Sequence, residues 1–123
     1  MPNDLNILNN KAAVVNLIVP RGEEWRRTIR FMSKRTGVVQ NLSSVVFIGE
    51  IRTAETGGTL LGSFTFVIAV DGLSFVVYIL RSTITALGFA LLYYDMFYTS
   101  GSAAPIKWIK GTFQVDTSVT LVP

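Results

Sequence analysis

From Ala12 onward the chain is built of short apolar runs, several alternating with polar residues at a period of two. Such alternation marks strands with one face in a core and one in solvent. Ala12 to Val19 is apolar and β-branched and predicts a first strand, which Pro20 stops because it has no N–H to give a ladder. Glu24 to Met32 predicts a second. Its Trp25, Ile29 and Phe31 share a face with Arg27, and Arg26, Thr28 and Arg30 share the other. Lys34-Arg35-Thr36-Gly37 reads as a turn, and Val45 to Arg52 as a third strand entered through Asn41-Leu42-Ser43-Ser44. After a loop at Thr53 to Gly58, Ser63 to Ile68 alternates Phe64, Phe66 and Ile68 against Ser63, Thr65 and Val67.

Asp71-Gly72 is a hairpin signal, and Leu73 to Leu80 follows with Leu73, Phe75, Val77 and Ile79 on one face. Ser82 to Leu87 predicts a short helical turn, capped by Ser82 or Thr83 and ended by Gly88. Phe89 to Thr99 is the longest strand expected, Ser100-Gly101-Ser102 a turn, Ile106 to Val115 a further strand, and Ser118 to Val122 a last short one. Short strands separated by turn signals predict an all-β chain: an antiparallel β-sandwich, Ig-like or a partly open barrel, with one short helical turn. The expected layout is an N-terminal arm over residues 1–12, polar and rich in asparagine, and one sandwich domain over 13–123.

Composition removes several functions. Half of the 123 residues are apolar, enough for an ordinary core. The absence of cysteine excludes disulfides and thiol chemistry, and the absence of histidine removes the usual general base and transition-metal ligand. The start, MPNDLNILNN, lacks the basic and apolar blocks of a signal peptide. The apolar region Gly72 to Tyr98 is interrupted at Arg81, Ser82, Thr83 and Thr85, and its Ala86 to Tyr94 part falls short of the roughly 20 residues of a membrane helix. The expectation is a soluble protein made in the cytoplasm, with no membrane contact.

The remaining acid–base candidates are few. Glu23 and Glu24 are adjacent, so a strand points them to opposite faces. Asp71 is read as a turn residue, and Gly57-Gly58 lacks the lysine context of a phosphate loop. Asp95, within LLYYDMFYT, shares a face with Leu91, Tyr93 and Phe97 and needs a cation, with Arg27 or Arg81 as candidates. No catalytic residue, metal site or cofactor is expected. The cluster Arg21, Arg26, Arg27, Arg30, Lys34 and Arg35 has phosphate contact as one reading. Glu23 and Glu24 lie inside it and no aromatic ladder runs through it, so an arginine-rich protein interface or a solvated face is the better reading. Tyr94 and Tyr98 share a face with Ala90, Leu92 and Met96, which makes both faces of that strand apolar. Either it is central in the sandwich, or another subunit covers one face.

The order of short motifs suggests a family. An extended segment ends at Arg21-Gly22-Glu23, followed by Trp25, then Asn41-Leu42-Ser43 entering the strand with Ile51-Arg52. Phe64-Thr65-Phe66, Asp71-Gly72 and the turn closed by Gly88 lead to Tyr94-Asp95, and the chain closes on Lys110-Gly111-Thr112-Phe113-Gln114-Val115. Over about residues 14–120 this resembles the N-terminal domain of phage upper baseplate proteins and related small tail and fibre-attachment domains. Glu23 and Glu24 depart from the Asp-Thr of that family's corner. The resemblance implies a β-sandwich, no catalysis, and a docking part of a virion. The partners expected are other virion structural proteins, in a homo-oligomer or multi-copy assembly, without nucleic acid. Interface candidates are Arg21, Trp25, Arg26, Arg30, Tyr94, Tyr98 and Trp108. The alternatives are a capsid decoration protein, or a soluble carbohydrate or ligand module stacking on Tyr93, Tyr94, Tyr98, Trp25 and Trp108.

Overall fold

A computed structural model describes residues 12–21, 23–33 and 35–116. The arm expected over residues 1–12 lies, but for Ala12, outside them, as does the strand expected at Ser118 to Val122. The described chain forms β1 (Ala13–Val14), β2 (Leu17–Pro20), β3 (Trp25–Ile29), β4 (Val45–Arg52), β5 (Leu60–Ser63), β6 (Thr65–Ile68), β7 (Phe75–Ile79), α1 (Arg81–Leu87), β8 (Leu92–Ser100) and β9 (Ile106–Asp116). The protein is mostly β, with two sheets, one short helix and no closed barrel among the described residues. The larger sheet runs β1-β9-β8-β4-β5, with β2 also on β9, and the smaller runs β3-β7-β6.

The core between the sheets comes from the alternation read in the sequence. β7 buries Phe75, Val77 and Ile79, β8 buries Leu92, Tyr94 and Met96, and β9 buries Trp108, Phe113 and Val115. Phe31, on the loop between β3 and β4, meets Phe47, Phe75, Tyr98 and Trp108 edge-on at 5.2–5.8 Å. Edge-to-face contacts suit the charge distribution of aromatic rings and add to the area they bury. Phe47 stacks on Phe75 at 4.1 Å. Gly49 leaves the space that Phe64, Phe66 and Met96 fill: a Cβ there would stand 3.0–3.1 Å from all three.

Several elements differ from expectation, each for a local reason. The strand expected at Ser63 to Ile68 is part of two. At Phe64 the backbone N–H donates to the Gly49 carbonyl (2.9 Å) and the ring is buried, so the chain leaves β4 and continues as β6 on β7. The first strand is also two, and it pairs with β9 in parallel rather than antiparallel fashion. It breaks at Val15-Asn16 because polar groups there have other partners: the Tyr94 hydroxyl donates to the Val15 carbonyl (2.7 Å), and the Thr112 N–H donates to the Asn16 side-chain carbonyl (3.1 Å). Gly111 permits this approach, since a Cβ on it would overlap the Val15 carbonyl. Helix α1 has Leu80 at its N-cap, without a side-chain cap, in place of Ser82 or Thr83. Buried Ile84 anchors it, and Gly88 ends it at φ +73° as expected. Asp71-Gly72 does turn the β6–β7 hairpin. The Asp71 carboxylate accepts the Leu73 N–H at 3.0 Å, and Gly72 takes φ +75°.

Candidate functional site

The outward face of the larger sheet is the surface on which apolar and charged side chains gather. Strand β4 reads VVFIGEIR and turns Val45, Phe47, Gly49 and Ile51 to the core. The same alternation sends Val46, Ile48, Glu50 and Arg52 outward. Across the ladder Ile48 stands opposite Phe97, Glu50 opposite Asp95, and Arg52 opposite Tyr93. On the other side of β8, Phe97 pairs with Lys107 and Asp95 with Lys110. Between Met96 and Phe97 the register shifts, which leaves Trp108 as the extra residue of a bulge and lets it turn inward. Val46 and Ile48 are more than half exposed, at 60% and 53%.

Below that apolar end lies a cleft of about 190 Å³, lined by Glu50, Arg52, Glu55, Asp95, Lys107 and Lys110 together with Tyr93 and Val14. Its charges are paired. Arg52 bonds Glu50, Lys107 Nζ lies 3.6 Å from the Asp95 carboxylate, and Lys110 Nζ lies 3.4 Å from that of Glu55. Lys107 also sits 5.4 Å from the Phe97 ring centroid. Lys107 is therefore the cation that meets Asp95, where Arg27 or Arg81 was expected. The reason is register: β9 is the neighbouring strand, while Arg27 is on the other sheet, over the Trp25 ring at 5.0 Å. Pairs this exposed contribute at most about 1 kcal/mol each, so they shape the surface more than they hold the fold.

The seven interface candidates do not converge. Trp25, Tyr94 and Trp108 are buried in the core. Trp25 packs edge-on to Phe64 at 5.9 Å. The Trp108 indole N–H is buried without a hydrogen-bond partner among the described residues. Tyr94 reaches across Gly111, its partner in the ladder, to the Val15 carbonyl. Burial raises the hydroxyl pKa of both Tyr94 and Tyr98 above the usual value, so both stay neutral, and that of Tyr94 donates its hydrogen bond. Tyr98 is half-buried on the core side against Phe31. Arg21, Arg26 and Arg30 are exposed, but spread along the chain at and around β3. Arg21 lies beside Phe89, 5.6 Å from its ring centroid. Arg26 is held on the smaller sheet by Glu24 (2.9 Å) and by the Tyr78 ring (5.0 Å). For a stacking module, two of the five candidate residues, Tyr93 and Tyr94, line the cleft, and Tyr94 is buried.

Val46 and Ile48 were not singled out from the sequence, although a signal exists: β4, like β8, carries apolar residues on both faces. Among the described residues there is no group of three metal-ligating side chains, and no helix long and apolar enough to cross a membrane. The sequence matches no protein-family model, and no curated protein is similar to it.

Proposed function

We propose that this chain is a virion structural protein, a docking component of a phage tail, baseplate or fibre-attachment apparatus. It acts through protein–protein contacts and performs no chemistry of its own. The observation that carries this reading is the outward face of β4 and β8, the inner strands of the larger sheet, where Val46 and Ile48 stand uncovered beside Phe97. Single exposed apolar residues are ordinary on protein surfaces, but a registered group on two adjacent strands suits a binding surface. The order of motifs along the chain supplies the kind of assembly. Its partners are neighbouring virion proteins, and its place is the virion.

The test is mass spectrometry of purified, salt-washed virions, with capsids and tails separated before digestion. Peptides in the tail fraction support the reading. Peptides in the capsid fraction reassign the chain as a decoration protein, and absence from both fractions overturns the virion assignment. The arginines at and beside β3 have a test of their own. Arg26→Glu combined with Arg30→Glu should abolish incorporation while far-UV circular dichroism stays unchanged, and normal incorporation would show that these arginines form no second contact beside the β4–β8 face.

A further inference from the structure

We infer that the outward face of the larger sheet packs against the same face of a second copy of this chain. The inference rests on the docking reading and adds its partner. Three properties of the face favour a copy of itself. The first is charge. Glu50, Glu55 and Asp95 balance Arg52, Lys107 and Lys110, so the cleft is neutral and the net charge of +3 lies elsewhere on the chain. Because the charges of this face pair among themselves, two copies meet through it without bringing net like charge together.

The second property is placement. Val46 and Ile48 occupy one end of the face, opposite Thr99 and Phe97. Val14 and Ile18 occupy the other edge, opposite Lys110 and Gln114, and both are about two-thirds exposed at 66% and 68%. The cleft lies between the two groups. A twofold axis in the plane of the face and through the cleft lays apolar on apolar at both ends and brings the balanced charges of one cleft onto the other. A self-complementary patch of this kind is what a twofold interface requires.

The third property is size. Five strands across the sheet span about 24 Å, and the nine residues of β8 span about 30 Å, so the face offers roughly 700 Å². That approaches the roughly 800 Å² per partner of a stable interface. Two sheets meeting face to face are a common way to bury such a surface, with side chains interdigitating across about 10 Å.

The test is sedimentation equilibrium of the full chain, together with three single variants. The wild type should be dimeric at about 10 µM, within the range that interfaces of this size reach. Ile48→Lys and Val46→Lys each place an unpaired charge in the contact and should weaken the dimer about 10–100-fold, with unchanged circular dichroism. Val67→Lys, on the outward face of the smaller sheet, should leave the dimer intact. A wild type that is still monomeric at about ten times that concentration overturns the inference. So does a dimer that both β4 variants leave unchanged.

Virion incorporation separates this inference from the docking reading. A dimer with the expected sensitivities in a protein absent from virions sinks the docking reading and leaves the self-association standing. A monomer that enters virions does the reverse and assigns the face to a different virion protein.

Discussion

Strand β8 presents two faces to two different settings. Leu92, Tyr94 and Met96 point inward and are almost wholly buried, while Tyr93, Asp95 and Phe97 point outward and stay partly exposed. On the inward side each side chain is fixed by what it touches. Tyr94 fills the space over Gly111 and spends its hydroxyl on the Val15 carbonyl, and Met96 packs against the gap at Gly49. On the outward side the contacts are exposed pairs and rings in partial solvent, as between Lys107, Asp95 and Phe97. The inner face needs its particular residues for the fold to exist. The outer face holds apolar residues, Val46 and Ile48 among them, that stay more than half exposed in the described fold.

That contrast can be broken by substitution, and the largest effects belong to the inner side. Trp25→Ala or Phe75→Ala removes a buried ring from the core and should cost about 3–5 kcal/mol, read as a lowered denaturant midpoint. An unchanged midpoint would show that the ring does not hold the two sheets together. Gly111→Val forces a side chain onto the Val15 carbonyl and should cost about 1–3 kcal/mol. Hydrogen exchange should quicken first at the Val15 N–H, which donates to the Lys110 carbonyl at 2.9 Å.

Tyr94→Phe deletes one hydrogen bond and should cost about 1 kcal/mol. The same residue gives a pH test. Its pKa is raised in the fold above the ordinary 10.0, so the folded state keeps the proton that the unfolded state releases. Its contribution is complete below the unfolded pKa and is lost as pH rises through the folded one. Stability should therefore fall in the alkaline range, and less steeply in Tyr94→Phe than in the wild type. The smallest effect is on the outer side. Ile48→Lys should change the stability of the isolated fold by no more than about 0.5 kcal/mol, and a larger loss would mean that Ile48 serves the monomer after all.

Much of the inner side was legible from sequence. Phe75, Val77 and Ile79 were placed on one face by alternation, Gly88 as the end of the helical turn, and Asp71-Gly72 as the hairpin between β6 and β7. These features depend on residues close together in the chain. What escaped depends on pairing at a distance. Nothing near Asp95 shows that β9 will lie beside it with Lys107 in reach, because the two are joined only by a register set across a bulge. Nothing near Val15 shows that Tyr94 and Thr112 will take its neighbourhood out of the ladder. The candidate site escaped for the same reason. Trp25, Tyr94 and Trp108 are aromatic and so suit both a core and an interface, and only the assembled sheets show that the core takes them. The arginines around β3 stand close together along the chain, but the fold sets them at and beside the smaller sheet, apart from the Ile48–Phe97 surface.

The parallel edge has a consequence for how the chain is made. Residues 13–20 leave the ribosome well before the strand they bind, for the Thr112 to Asn16 contact spans 96 positions. Until β9 has emerged, Leu17 and Val19 have no seat, and the larger sheet lacks its edge. Completion of this sheet is therefore a late event of synthesis, reached by closing almost the whole described chain into one loop. Closures of that reach slow folding and prolong the time in which unfinished strands meet one another. A ribosome-stalled chain ending before residue 106 should remain open to protease along residues 13–20, and one extended well past residue 116 should become resistant there.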